Sequence, residues 1–383
     1  MEANRKIKHP VYFLFAILLL HFLCWILLKP PVPHADDLCY VQEGEKIVNG
    51  VYEWNDSPKN HRLGIILPSL FFIRVFGNNP YSVSLFPLLC SMATIAFLYF
   101  FLLKFNFLLA ITSSILLSFN IIQIIYSTVL FPDLIVSLWA FLMVVMIYEG
   151  RKKENNFLKY SLLGILFFLI GFFTKEIILL ILPFAMVISY FDLKKGSSIK
   201  FWKSFYVLLV SCIGIIFLIS YLLKGDGLFI YNSIEKNHND AFVLPMNSME
   251  IINRLTIAPI KFLFENYGYT FLILLAIPAF FIKEKNKEEG NLFFYWKIYF
   301  VCLLILLWFG TSSITRWAPI LLFDRMWMML IVPLCILGGM TIEKASSKFI
   351  FINNKPWFTA VIILLPYVAF AFYFIYHNSN HTF

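Results

Sequence analysis

Charge is what this sequence has least of. Only 14% of its 383 residues are charged, against 60% that are hydrophobic. A soluble globular domain carries roughly 25% charged residues. The shortage excludes a soluble protein of ordinary composition, and dividing the length into soluble domains has no meaning here. Cysteine patterning is also missing. Cys24, Cys90, Cys212, Cys302 and Cys335 lie inside apolar runs, and Cys39 alone lies in a polar segment. No CxxC or CxxH spacing occurs, which argues against a disulfide framework or a structural zinc site. The first apolar run, residues 11–28, follows Arg5, Lys6 and Lys8 but has no Ala-x-Ala site behind it. It is also longer than a secretory h-region, so it reads as an uncleaved first membrane helix. Internal repeats and low-complexity tracts are absent too.

What the chain has is a series of long apolar runs. A membrane span needs about 20 mostly apolar residues. Segments 11–28, 81–103, 107–125, 134–148, 158–173, 177–191, 204–223, 262–282, 292–310, 326–342 and 357–376 meet or approach that length. The expected fold is therefore an all-α polytopic membrane protein of about 11 transmembrane helices, forming one domain over residues 1–383. The 44 Phe and 19 Tyr suit lipid-facing surfaces and interfacial belts.

Residues 61–77 form another apolar stretch that could cross the membrane. The distribution of basic residues decides against it. With the N-terminus in the cytoplasm and about eleven spans, 19 of the 31 Lys and Arg residues fall inside. If 61–77 also crossed, every later loop would flip and the excess would reverse. The stretch also reaches only about 25 Å as a helix, short of a hydrocarbon core of about 30 Å. Pro68 and Arg74 fit a helix lying along the surface. The net charge of +9 then reflects cytoplasmic loops rather than a nucleic-acid partner. The expected location is the cytoplasmic (inner) membrane.

The outer face receives a first loop, 29–80, with two surface helices, and a second loop, 224–258. The first loop opens with Asp36-Asp37-Leu38-Cys39-Tyr40. Two adjacent carboxylates at the rim of so apolar a chain point to function, because charge near hydrocarbon is costly. Asp36 could equally cap a helix that starts at Asp37 and stops at Gly50. Shorter outer turns carry Phe131-Pro132-Asp133, Thr174-Lys175-Glu176 and the approach to Asp324-Arg325.

In this order the pieces resemble the GT-C class of polyprenyl-phosphate-sugar glycosyltransferases, nearest to the protein O-mannosyltransferase and aminoarabinose-transferase branch. The resemblance rests on several features. A first span is followed by the Asp36-Asp37-x-x-Tyr40 motif, and the second surface helix ends in Arg74-Val75-Phe76-Gly77. Asp133 lies in the turn before the fourth span, Thr174-Lys175 stands between the fifth and sixth, and Asp324-Arg325-Met326-Trp327 comes late, with Pro333 beyond. The chain departs from the pattern where Asn60-His61-Arg62 replaces a Lys-Pro-Pro. Its second acid is Asp rather than Glu, and Trp327 stands where Tyr is common.

The resemblance implies inverting transfer of a sugar from a polyprenyl-phosphate-linked donor to an acceptor hydroxyl outside. The acceptor itself is undefined. Such chemistry needs a base, a cation for the leaving phosphate, and contact with the membrane. Asp36 is the expected base. Asp37 points about 100° away from it on a helix and is assigned to capping or donor contact. Like-charge proximity is expected to raise the pKa of one of them. Asp133 would orient the acceptor or a cation; its plainer reading is a carboxylate favoured by a helix dipole. Arg325 and Lys175 are the expected phosphate ligands, with ion pairs to Asp324 and Glu176 as the alternatives. His61 and Arg62 are expected to take over part of the missing Lys-Pro-Pro, and Arg316 is a weaker candidate. No cofactor is required. A divalent ion at Asp36, Asp37 and Asp133 is compatible with the residues, but no spacing demands one. The competing classes are a lipid or sugar transporter (or flippase) and a non-catalytic subunit of the same architecture. Against transport, the acids and lysines fall near span ends, and no inverted repeat is visible.

Overall fold

Within hydrocarbon, each backbone N–H and C=O must find its partner inside the segment or a neighbour, so apolar runs become helices. The computed structural model describes residues 10–32, 35–241, 248–282, 287–311, 313, 315, 317–348 and 356–379. Among them are α1 (Pro10–Leu28), α2 (Asp36–Val48), α3 (Leu63–Phe76), α4 (Pro80–Leu103), α5 (Phe107–Ser118), α6 (Ile121–Ser127), α7 (Pro132–Lys152), α8 (Phe157–Phe172) and α9 (Ile181–Lys194). The chain continues through α10 (Ile199–Lys224), α11 (Phe229–Ala241), α12 (Ser248–Leu255), α13 (Ile257–Glu265), α14 (Tyr267–Ala276), α15 (Lys287–Phe309), α16 (Ile331–Lys348) and α17 (Pro356–Ser379). Short 3-10 turns precede α9 (Glu176–Leu180) and α16 (Asp324–Leu330). The only pairing outside helices among the described residues is an isolated bridge between Thr311 and Pro319.

The chain is thus an all-α polytopic membrane protein. Among the described residues, eight helices, counting each 3-10 turn with its helix, are long and apolar enough to cross a membrane, or ten if two bent pairs each count as one span. The short α8 completes the expected series. Two expected spans differ from their straight reading. The 107–125 run breaks into α5 and α6, bent by 59°. Asn120 causes the break: its side chain accepts from the Gln123 N–H at 3.1 Å and so starts a new helix. The Ser118 carbonyl beside the break is met by His21 Nδ1 of α1 at 2.8 Å, while Nε2 of that ring meets Ser91 Oγ at 2.8 Å. Likewise, the 262–282 run turns by 98° between α13 and α14, where the Asn266 side chain accepts from the Gly268 N–H at 3.0 Å.

Helix α3 has both of its ends on one face of the bundle. At its start the Gly64 N–H donates to the Phe173 carbonyl at the end of α8, at 2.9 Å. At its far end the chain turns at Gly77, in the left-handed region at φ +83°, into the Asn79–Ser82 capping box of α4. There Tyr81 packs on Trp25 near the end of α1, ring centroids 5.7 Å apart. Helix α3 therefore lies along a surface, as expected of residues 61–77. Gly64 allows the close approach, since a Cβ there would fall 2.4 Å from Thr174 Oγ1.

Burial identifies the central pillars. In α7 89% of the apolar window is buried, and in the Asp324–Ser347 span 83%, against 22% in α10 and 28% in α1. Asp133 stands at the start of the first pillar and Arg325 at the start of the second. The candidate site is therefore mounted on the most constrained elements of the bundle.

Candidate active site

Asp36 is the first residue of α2, and the expected cap does not form. Ala35 takes the N-cap position at φ +48°, and no side chain caps the helix. The stop is as expected, with Gly50 at φ +69°. Freed from capping, Asp36 meets two cations. Lys59 Nζ donates to its Oδ1 at 2.5 Å, and Arg325 Nη1 donates to its Oδ2 at 3.2 Å. Burial alone would raise the Asp36 pKa. The Lys59 bond and charge, with the charges of Arg325 and Arg62, outweigh that and hold it below the usual carboxylate value. Of the two adjacent carboxylates, Asp36 is therefore not one whose pKa is raised. Asp37 turns inward and is only 2% exposed.

Asp133, buried at the start of α7, accepts from Lys175 Nζ at 2.5 Å. Lys175 also approaches Met326 Sδ at 3.2 Å, and Met326 directly follows Arg325. Lys175 thus turns to Asp133, while its neighbour Glu176 receives Arg62. Arg62 Nη2 lies 3.3 Å from both Glu176 oxygens, and its Nη1 donates to the Tyr40 hydroxyl at 2.8 Å. Arg325 likewise pairs with Asp36, and its guanidinium covers the Phe131 ring at 4.7 Å. Asp324 receives the Asn266 amide instead. These contacts draw together α2, α3, the start of α7, the turn before α9 and the turn before α16.

His61 is elsewhere. Its ring lies between Trp54 and Phe229, with centroids 5.1 and 5.4 Å away. Arg316 lies outside the described residues. Among the described residues, no group of three or more His, Cys, Asp or Glu side chains could hold a metal ion; Asp36 and Asp133 each face cations.

Lys175 and Glu176 are the charged residues that line a cavity of about 540 Å³. Its walls are largely apolar: Phe168 and Phe172 of α8, Ile213, Ile216 and Phe217 of α10, Leu228, Ile230 and Ile234 around α11, then Pro319, Ile320, Leu321 and Met326. Ser220, Tyr231, Thr311 and Ser313 add hydroxyls to the lining. One molecule with a hydrocarbon part and an anionic end fits such a space.

The helical arrangement is the GT-C glycosyltransferase fold. ArnT from Cupriavidus metallidurans in the apo state superposes with a TM-score of 0.62 at 12% identity, covering 96% of this chain and 75% of ArnT. The same ArnT bound to undecaprenyl phosphate gives 0.60 at 11% identity over 98% of this chain and 74% of ArnT. The Archaeoglobus fulgidus oligosaccharyltransferase, tethered to an acceptor peptide, gives 0.61 at 12% identity over 98% of this chain, which spans 56% of that protein. No protein-family model matches the chain, and no curated protein matches it in sequence. The resemblance read from the Asp36-Asp37 motif and its followers is borne out in the fold.

Two contributors escaped the sequence reading. Lys59 directly precedes the Asn60-His61-Arg62 stretch, and its position there was the available signal. Glu235 of α11 is buried and accepts from the hydroxyls of Ser313 and Thr315. Nothing in its polar helix distinguished it from the surface acids around it.

Proposed function

We propose that the protein is a membrane glycosyltransferase that moves a sugar from a polyprenyl-phosphate donor to an acceptor hydroxyl. The observation that carries this reading is an apolar cavity lined by Lys175. From there Met326 and Arg325 lead to Asp36. In this reading the isoprenoid tail lies along the cavity, and the phosphate meets Lys175 with Arg62 close by. The sugar projects toward Asp36. The acceptor oxygen attacks the anomeric carbon as the bond to the phosphate oxygen breaks, and the acceptor's proton passes to Asp36. Direct displacement inverts the anomeric centre. The site faces outward from the cytoplasmic membrane, between the loop 29–80, the start of α7 and the turns before α9 and α16.

The lowered pKa of Asp36 keeps it ionised and weakly basic while Lys59 and Arg325 hold it. A phosphate gaining charge as it departs competes for those same cations. As they shift toward the phosphate, Asp36 loses its stabilising partners and becomes the stronger base. Asp133 positions Lys175, and Asp37 anchors α2.

Bent spans also occur in transporters, where broken helices line a substrate path. One experiment separates the readings. The purified protein is reconstituted in vesicles with polyprenyl-phosphate sugar and a panel of hydroxyl acceptors. Release of free polyprenyl phosphate that depends on acceptor supports transfer. Movement of intact donor across the bilayer, with no release, favours transport.

A further inference from the structure

We propose that His61 is a proton-responsive latch that holds α11 against the first polar loop and thereby closes one wall of the cavity. The imidazole is 4% exposed, and neither ring nitrogen has a hydrogen-bond partner. Its ring neighbours are Trp54, from the link between α2 and α3, and Phe229, the first residue of α11, tilted against it by 36° and 60°. Beyond Phe229, residues Ile230, Tyr231 and Ile234 of the same helix line the cavity. A second tie spans the same gap at the surface, where Lys236 of α11 pairs with Asp56 at 2.7 Å. Moving α11 away from the first loop therefore opens the cavity wall.

The neutral ring suits this sandwich and the charged ring does not. Protonation leaves an imidazolium with two N–H donors in a buried aromatic slot. The Trp54 and Phe229 rings and the Asn55 backbone return some attraction, but less than the cost of burying the charge. The charged groups around the ring are Arg62, Asp56 and Lys224, whose Nζ lies 5.6 Å over the Phe229 ring. Burial lowers the His61 pKa. The Asn55 backbone and Asp56 pull it up, Arg62 and Lys224 push it further down, and the net direction is down. The sign follows. A group whose closed-state pKa lies below its open-state value stabilises the closed state when unprotonated. Closure is thus complete above the ordinary imidazole value of about 6.5 and weakens as pH falls through the lowered one. The Asp56–Lys236 tie does not account for such a change, because Lys236 holds the Asp56 pKa below the ordinary carboxylate value.

The identity of the cavity's occupant rests on the glycosyltransferase reading, but the latch itself does not, so its test uses no substrate. Spin labels at Ser57→Cys and Asn232→Cys, with Cys39→Ser, report the gap in the full-length protein in nanodiscs. The expected result is one short separation at about pH 8 that lengthens and broadens below the ordinary imidazole range of about 6.5. His61→Phe and His61→Leu keep the short separation at both, and Lys236→Met retains the pH response. A wild-type separation that does not change between these pH values overturns the proposal. So does a response that survives in either His61 variant.

Discussion

The two ends of α7 are both rich in charge, and they use it differently. At the end carrying Lys152, the ion pairs join neighbouring helices to one another. Arg151 Nε and Nη2 donate to the two Asp192 oxygens at 2.5 and 2.6 Å, and Trp202 Nε1 donates to Asp192 Oδ2 at 2.8 Å. Glu149 sits between Lys104 at 2.7 Å and Lys153 at 2.9 Å. These sets staple α7 to α9 and α10. At the Asp133 end carboxylates are shared as well, but the ions lie beside a cavity instead of between packed helices. Asp36 serves both Lys59 and Arg325, Arg62 divides between Tyr40 and Glu176, and Lys175 leans on both Asp133 and a thioether. The first arrangement holds helices together. The second leaves cations with partners they can exchange, beside a cavity able to hold an anionic lipid.

The contrast predicts opposite responses to equivalent substitutions. The largest effect is expected at Asp36: Asp36→Asn should lower transfer by about 10²–10⁴-fold, the usual range for losing a general base, with little change in thermal stability. Asp192→Asn should do the reverse. Breaking a largely buried pair costs about 3 kcal/mol, so its melting temperature in detergent should fall while transfer per folded molecule stays within a few-fold. Comparable losses of transfer in both variants would erase the distinction between the two ends. Lys175→Met should act on both quantities. It removes a charged hydrogen-bond donor, worth roughly 10–100-fold in donor affinity, and strands Asp133 without its cation. Titrating donor against rate measures the first effect and a melting curve the second.

Smaller effects refine the picture. Gly64→Ala pushes against Thr174 Oγ1 and the Ile170 carbonyl. A modest rise in donor KM is expected as the turn carrying Lys175 shifts, and steady-state kinetics measure it. The smallest effect is in pH dependence. Because the folded-state pKa of Asp36 is depressed, its ionised form, and the stability it lends, persists above the unfolded value of about 3.9 and is lost as pH falls through the lowered one. The acid limb of the rate profile should accordingly lie below the ordinary carboxylate range in the resting enzyme. In Lys59→Met that limb should move upward, toward the ordinary value; a limb that stays in place would separate Lys59 from the titration of Asp36.

Much of the fold was legible because hydrocarbon restricts the options so severely. Run length and the placement of Lys and Arg yielded the order of the apolar helices and the surface position of α3. The bends at Asn120 and Asn266 were not legible. A single Asn inside an apolar run looks tolerable until its side chain is seen capping the next helix, with His21 completing the first break from another span. At the site, the residue types were legible but their pairings were not. Lys175 had an acid next door in Glu176, yet its partner is Asp133, 42 residues away. Arg325 adjoined Asp324 but reaches Asp36, 289 residues away. His61 looked like a donor contact from its place in the chain, and the structure packs it between aromatic rings instead. Sequence spacing reveals helix faces and ends; packing between distant helices decides which ends meet.

The most direct test of the central claim is a single-turnover experiment with donor prebound to the reconstituted protein, comparing wild type with Asp36→Asn. The account predicts equal donor occupancy in the two proteins and a transfer step slowed by at least about 100-fold in the variant. Equal transfer rates from equally occupied proteins would contradict it, and would remove Asp36 from the chemistry.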